Sequence, residues 1–430
     1  MSSLTGKSFN PVMNRRSVIA GVAGLGACSI ISGCSDGGSA ADGGSDSAGF
    51  KIGSMGPLTG PAASYGTSVT GGAELGCKDF STDELPLVFK AEDDVADGEK
   101  AVNAFNSLAD WGMQVLVGPT TTGCSLAVAQ EAENAHLFML TPSATAPDVT
   151  DGKTVVFRAC YSDPAIGVHS AEWLAQNLPN EKIATFHNAG DTYSAGVHDA
   201  FLEKAEELKL DIVDKETFKD DSATSFTNQL TKAKNAGATL IYAPIYYTPA
   251  SVMLTNASEM GYDVKVMGCD GMDGILGVEG FDAALAEGLY LMTPFSADDP
   301  ENADFVAAYK EAYGEVPDQF AADAYDSVHA VALALAEIGL GADADPAEVA
   351  DALPEAMTKI TVEGLTGTLT WNDKGEVEKE TTVYVIKDGK YVLAYGAPGN
   401  VRKHTSNPTQ GQGLDALSLL LVAGTPVPFT

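Results

Sequence analysis

Short β-rich runs, several of them wholly apolar, alternate with segments of helical period along this chain, and that alternation constrains the fold more than any other feature. Runs that are apolar on both faces are typical of parallel strands covered by helices on both sides. Between them, Ala101, Phe105 and Leu108 recur at the spacing of an amphipathic helix, for which Asp97 is a candidate N-cap. The first four β-rich runs lie at 50–53, 87–90, 115–117 and 137–140, and the last two are wholly apolar.

The same alternation restarts at 182–186 and continues through the predicted strands 240–243 and 264–267. Two successive βαβ series predict an α/β fold of two Rossmann-like lobes with parallel-rich sheets. Near the carboxyl end, the runs 368–371 and 383–386 are followed by turn signals and predict a hairpin.

The first 33 residues have the pattern of an export signal. Arg15 and Arg16 precede an uncharged, apolar and small-residue run that is shorter than the ~20 residues of a spanning helix. The tetrad Ile31-Ser32-Gly33-Cys34 resembles the lipobox of bacterial lipoproteins, and the arginine pair resembles a twin-arginine signal. The alternatives are a poor membrane anchor or an accidental arginine pair. We expect residues 1–33 to be removed and acylated Cys34 to tether the protein outside the cytoplasmic membrane.

Two further segments contain few of the large apolar side chains that form a folded core. Residues 35–49 are made only of Ser, Asp, Gly and Ala, so 34–49 is predicted to be a flexible spacer. Residues 396–430 are polar and rich in Gly and Pro, and their apolar run 417–422 is much too short to span a bilayer. We predict a disordered tail there.

Charge and cysteine content exclude several classes of function. The formal net charge of −34 repels nucleic acid and anionic lipid, so neither is an expected partner. The cysteines beyond the export region are widely spaced, without a metal-ligand pattern, so we expect no metal and no cofactor. Pairing in an exported protein stays open, but buried free thiols are the prediction for these residues. They are Cys77, Cys124, Cys160 and Cys269.

Polar loops follow several of the predicted strands. In open α/β sheets, ligands lie beyond the carboxyl ends of the strands and against helix N-termini. The first half of the chain offers hydroxyl groups there, and the second half offers an acid with aromatic residues. The alternative is that these are ordinary N-caps and turn residues. The loops are 56–66, 118–123, 141–147, 191–193, 245–247 and 268–271.

These loops resemble those of the leucine/isoleucine/valine-binding protein family, the extracytoplasmic receptors of branched-chain amino-acid ABC transporters, which have the type I periplasmic-binding fold. The resemblance covers residues 50–395. It is carried by the segments IGSMGPLTGPAASYGTSVTGG, VLVGPTTTG, MLTPSATAPDVT, KIATFHNAGDTYSAG and VMGCDG.

The resemblance implies a set of ligand contacts. Thr122 and Thr145 match positions that hold an α-carboxylate, and Ser143 matches one whose backbone carbonyl accepts from the α-ammonium. Asp270 matches the acid that pairs with this ammonium, although that position is often Glu. The aromatic positions of the pocket correspond to Tyr65, Tyr193 and Tyr246.

The resemblance also implies two lobes joined by a three-segment hinge, with crossings near 161–164, 293–297 and 361–367. Lobe 1 is expected to comprise 50–160 plus 297–361, and lobe 2 to comprise 161–296 plus 362–395. Closure of the hinge around a ligand is the expected motion.

The expected function is capture of an amino acid, branched-chain-like or another small zwitterion, for an ABC permease and its ATPase. We expect a monomer. The alternatives are a same-fold receptor for another small carboxylate or amide, and a sensing lobe for a signalling partner. An enzyme is disfavoured, because the chain has no Ser-His-Asp order, metal-ligand spacing or phosphate-binding GxxxxGK[ST] loop.

Overall fold

The computed structural model describes residues 49–60, 62–379 and 381–394. The predicted export signal, Cys34, nearly all of the spacer, and the tail lie outside the described residues. The described residues form fifteen strands. These are β1 Phe50–Gly56, β2 Leu87–Asp93, β3 Val115–Val117, β4 Phe138–Thr141, β5 Val156–Arg158, β6 Lys182–Asn188, β7 Asp211–Phe218, β8 Leu240–Ala243, β9 Lys265–Gly268, β10 Tyr290–Met292, β11 Val362–Gly364, β12 Gly367–Trp371, β13 Val377–Glu378, β14 Val383–Lys387 and β15 Lys390–Leu393.

The same residues form ten α-helices, most of which connect consecutive parallel strands. They are α1 Ala63–Asp79, α2 Gly98–Asp110, α3 Thr122–Ala135, α4 Asp163–Asn177, α5 Thr192–Leu208, α6 Thr227–Ala236, α7 Tyr247–Glu259, α8 Ala303–Tyr313, α9 Gln319–Ile338 and α10 Pro346–Met357. The side chain of Asp97 accepts a hydrogen bond from the Lys100 amide, so it caps α2 as predicted.

Two large sheets organise the molecule. The first has five strands in the order β2-β1-β3-β4-β5, all parallel. The second has seven strands in the order β15-β14-β10-β9-β8-β6-β7. Its strands β6 to β10 are parallel, and β14 and β15 join antiparallel at one edge. The predicted α/β class with parallel-rich sheets is confirmed.

Helix α1 packs closely against α9 through glycines. A Cβ atom on Gly72 would lie 2.0 Å from the carbonyl oxygen of Ala321, a distance that no side chain tolerates. The segment TGGAELG therefore brings the two helix backbones together, although some 250 residues separate them in sequence. This contact positions the start of α9 beside the start of α1.

The predicted hairpin between 368–371 and 383–386 is wrong. Strand β12 pairs with β11 and β13 in a separate three-stranded sheet, whereas β14 pairs with β10 and β15. The third sheet contacts the end of the first one, because Trp371 Nε1 donates to the Arg158 carbonyl and the Arg158 amide donates to the Gly375 carbonyl. After β13 the chain returns to the seven-stranded sheet and adds β14 and β15 to it. The predicted division into two lobes stays a prediction.

The core is aliphatic and aromatic, and the four cysteines after the spacer are buried and free, as predicted. Arg158 is also fully buried. Its guanidinium donates to the carbonyls of Ala144 and Ala146 at 2.9 and 2.7 Å, and to Glu376 at 3.1 Å, so it holds the loop that follows β4. Within the described part of the chain, no helix is both long and apolar enough to cross a membrane.

Candidate functional site

A small, partly open cavity lies between the two large sheets, where several helices begin. Strands of both sheets end at this place, so the loops after them converge and the helices that follow direct their N-termini toward it. Most of the predicted site residues lie on its wall. The predicted residues that line it are Tyr65, Thr122, Ser143, Tyr193, Tyr246 and Asp270.

Hydroxyl groups and a helix N-terminus form one side of the cavity. Thr120, Thr121 and Thr122 lie on the wall at the start of α3. The Ser143 hydroxyl donates to the Thr120 carbonyl at 2.6 Å, which ties the loops after β3 and β4 together. The side chain of Thr121, the N-cap residue, makes no capping hydrogen bond to this helix. The first turn of α3 therefore offers backbone N–H groups and a favourable dipole to an anion such as a carboxylate.

Thr145 lies behind this wall and does not line the cavity. It is fully buried, its amide donates to Thr122 Oγ1 at 3.4 Å, and its carbonyl accepts from the Asp163 amide at 2.8 Å. In this geometry Thr145 orients Thr122, and its direct contact with a carboxylate stays a prediction.

Asp270 lies on the opposite side, just after β9. Its Oδ1 accepts a hydrogen bond from the Tyr193 hydroxyl at 2.7 Å, and the same hydroxyl accepts from the Gly271 amide at 3.0 Å. Burial raises the pKa of Asp270 to about 7, and the nearby Asp323 carboxylate acts in the same direction. The hydrogen bond from Tyr193 lowers the pKa of Asp270 and so acts against both. A cation that lost its water beside Asp270 would stabilise the ionised form.

Tyrosines close the cavity between these two sides. The rings of Tyr193 and Tyr246 stack with centroids 5.2 Å apart, and the ring of Tyr65 lies 5.3 Å from that of Tyr246. The Tyr65 hydroxyl donates to the Gly271 carbonyl at 2.5 Å and accepts from the Tyr247 amide at 3.2 Å. Tyr65 belongs to a helix beside the first sheet, and its partners follow strands of the second, so these bonds join the two sides across the cavity.

Sequence reasoning missed Phe320, which also lines the cavity and packs edge-on against Tyr65 at 4.8 Å. Phe320 lies in the first turn of α9, where Asp318 caps the helix by accepting from the Ala321 amide at 3.1 Å. A capping Asp before an apolar period was visible in the sequence. The closeness of Phe320 to Tyr65 could not be predicted from the sequence, because it depends on the packing of α1 against α9.

A second small cavity adjoins the first, and the two share Ser143, Asp270 and Phe320. Its wall contains two charged residues that sequence reasoning did not select, Asp323 and Lys379. Within the ranges that the structure describes, no group of His, Cys, Asp and Glu is arranged to hold a metal ion.

The chain is similar to proteins of one family over most of its length. A sequence model described as "Periplasmic binding protein" matches residues 49–390. The Leu/Ile/Val-binding protein homolog 3 of Brucella melitensis is 29% identical over 355 residues, which cover 80% of this chain and 93% of that protein. The leucine-, isoleucine-, valine-, threonine- and alanine-binding protein of Pseudomonas aeruginosa is 27% identical, with 78% of this chain and 89% of that protein covered.

Solved structures agree with the sequence comparisons. The branched-chain amino-acid transporter substrate-binding protein LivJ of Streptococcus pneumoniae, solved in complex with isoleucine, superimposes with a TM-score of 0.72. It is 28% identical, and the alignment covers 80% of this chain and 97% of that one.

Proposed function

Because the chain belongs to the periplasmic binding protein family and has its type I fold, we propose that it is the extracytoplasmic substrate-binding protein of an ABC importer. It captures a small amino acid between its two large sheets and delivers it to a permease driven by an ATPase. The family consists of solute-binding proteins of transporters, which is not an enzyme class.

The observation that carries this proposal is the opposite chemistry of the two sides of the first cavity. The α3 N-terminus with its hydroxyl groups suits a carboxylate, and Asp270 with Tyr193 suits an ammonium. An α-amino acid presents both groups one carbon apart. We assign Thr122 to the carboxylate side and the Ser143 carbonyl and Asp270 to the ammonium. Thr145 supports Thr122, and Tyr65, Tyr193 and Tyr246 enclose the ligand.

The proposal includes the cellular setting. Cys34 carries the lipid anchor, export follows the twin-arginine route, and the protein acts as a monomer whose lobes are 50–160 plus 297–361 and 161–296 plus 362–395. Replacement of Cys34 by Ala should leave an uncleaved or mislocalised precursor in cell fractions. A Cys34→Ala chain that is processed and stays on the membrane like the parent would contradict the anchor.

A thermal-shift screen over the common amino acids, followed by calorimetry, tests the proposed binding. A ligand at 100 times its dissociation constant stabilises the native state by ~2.7 kcal/mol, which a melting curve resolves. We expect at least one amino acid to bind, and its decarboxylated amine and deaminated acid not to. Binding of the deaminated acid alone would favour a same-fold receptor for a simple carboxylate, which is the second candidate.

A further inference from the structure

The second cavity extends the first at the place where the chain passes between the two large sheets. Tyr161 lies between β5 and α4, Pro294 follows β10, and Lys379 lies between β13 and β14. Because the two cavities share Ser143 and Asp270, a ligand held by its ammonium at Asp270 has the second cavity within reach of its side chain.

The wall of the second cavity contains a buried ion pair. Lys379 Nζ lies 2.7 Å from Asp323 Oδ1, and the two side chains are 0% and 4% exposed. The same ammonium donates to Thr366 Oγ1 at 3.2 Å and lies 5.1 Å from the centre of the Tyr161 ring. Removing two charges from water is costly, and apolar residues of the same volume often give a more stable protein. A pair kept beside a ligand cavity points to a role in binding.

Gln319 adds an amide to this wall and is 1% exposed. Its Oε1 accepts from the Thr293 hydroxyl at 2.7 Å, which leaves the Nε2 amide as the donor of that side chain. The Asp323 carboxylate has lone pairs beyond the one that Lys379 occupies. The second cavity thus presents both a donor and an acceptor, while the charges of Asp323 and Lys379 balance each other.

An aliphatic side chain in this cavity would remove water from these polar atoms without replacing its hydrogen bonds. An acidic or basic side chain would compete for one member of the ion pair and leave the other unmatched. An amide or a hydroxyl group satisfies donor and acceptor and adds no charge.

We propose that the second cavity receives the side chain of the bound amino acid and selects a neutral amide or hydroxyl group over an aliphatic group of the same shape. This inference rests on the proposed function and names its substrate class. It separates this chain from the Brucella melitensis relative, whose name specifies only leucine, isoleucine and valine.

Two isosteric pairs of free amino acids test the selection. Threonine and valine differ by a hydroxyl in place of a methyl, and asparagine and leucine differ by an amide in place of an isopropyl group. Calorimetry on the wild-type protein should show threonine binding at least tenfold tighter than valine, or asparagine at least tenfold tighter than leucine. Equal or tighter binding of both aliphatic members overturns the inference but leaves the proposed function standing. If none of the common amino acids binds, the proposed function itself fails.

A double variant, Asp323→Leu with Lys379→Met, removes both charges without leaving either unpaired. We expect the preference for the polar member to fall below about threefold, mainly through tighter binding of the aliphatic one. The matched control is Glu216→Leu with Lys232→Met, whose ion pair of 2.9 Å lines neither cavity. A full preference retained in the first double variant overturns the assigned role of the pair. Should that variant not fold, the wild-type comparison of isosteres decides the inference alone.

Discussion

At the scale of single residues, burial and a hydrogen bond shift the pKa of Asp270 in opposite directions. Burial raises its pKa to about 7, while the Tyr193 hydroxyl stabilises the ionised carboxylate. A hydrogen bond to a charged group is worth ~1.5–3 kcal/mol, and breaking a buried charge pair costs ~3–5. Asp270→Asn keeps the shape and removes the charge, so amino-acid binding should weaken by well over tenfold. Thr122→Ala should weaken it less, because backbone N–H groups still face the carboxylate. Calorimetry on both variants measures this.

The pH dependence of binding provides the control for this prediction. The ligand ammonium pairs with ionised Asp270, so affinity should fall as the pH drops below about 7, approaching tenfold per pH unit. The variant Asp270→Asn should lack this dependence, whereas residual titration in the variant would implicate Asp163, whose pKa burial also raises to about 7. Equal affinities of wild type and variant would remove the zwitterion interpretation.

Much of the first cavity was predictable because its residues lie in short loops just after strands, where local sequence determines their position. Tyr193 and Asp270 are 77 residues apart, yet both follow parallel strands of one sheet, and the strand-end rule places them together. Lys379 had no such signal, since it lies in the charged run Glu376–Val377–Glu378–Lys379, which is typical of a solvated surface. Its burial depends on where the third sheet packs, which no local pattern indicates.

At the scale of elements, α5 shows how a cap positions a site residue. The Asp191 side chain accepts from the Ser194 amide at 2.8 Å and fixes the first turn, which contains Tyr193. Asp191→Ala should lower the free energy of unfolding by ~0.5–2 kcal/mol and weaken ligand binding through Tyr193. Asp191→Asn, which retains a capping oxygen, is the matched control. Denaturant titration with and without ligand measures both effects, and identical curves for the Ala and Asn variants would contradict the capping role.

Turn chemistry was easier to predict than strand pairing. The turn signals at 372–375 and 387–389 are real, but they join β12 to β13 and β14 to β15. Pairing between non-adjacent strands depends on long-range packing, so β12 and β14 were wrongly matched. Strand β7 was missed because its sequence, DIVDKETF, lies at a sheet edge and exposes several polar residues.

At the scale of the whole molecule, the hydrogen bonds of Tyr65 to Gly271 and Tyr247 join elements of the two large sheets across the cavity. Removing the hydroxyl in Tyr65→Phe keeps the ring contacts and eliminates the bonds to Gly271 and Tyr247. Small-angle scattering of the wild type should show a smaller radius of gyration with the tightest-binding amino acid than without ligand. The variant should need more ligand to reach the same radius. A ligand-independent radius in both proteins would contradict hinge closure.

Buried carboxyls also predict an unusual stability profile. Burial raises the pKa of Asp163, Asp270 and Asp318 to about 7, above the unfolded value of ~3.9, so the native state binds protons more tightly. Their contribution is present at low pH and is lost as the pH rises through about 7. Protonation also reduces the repulsion within a chain of net charge −34.

The ligand-free protein should therefore melt at a higher temperature near pH 5 than near pH 8. Scanning calorimetry at the two pH values measures this, and a saturating amino acid should narrow the difference because it favours ionised Asp270. A lower melting temperature at the acidic value, with reversible unfolding, would contradict the raised pKa values.

The interleaving of the two large sheets has a consequence for synthesis. Helix α9, which packs on α1, is made only after strands β6 to β10, and β14 is made only after α9. A fragment that ends before Val383 therefore has every strand of the first sheet but lacks β14, the antiparallel partner of β10 in the second. The ribosome must add almost the last described residue before the second sheet has all its strands, so this sheet is the last part of the described chain to be completed during synthesis.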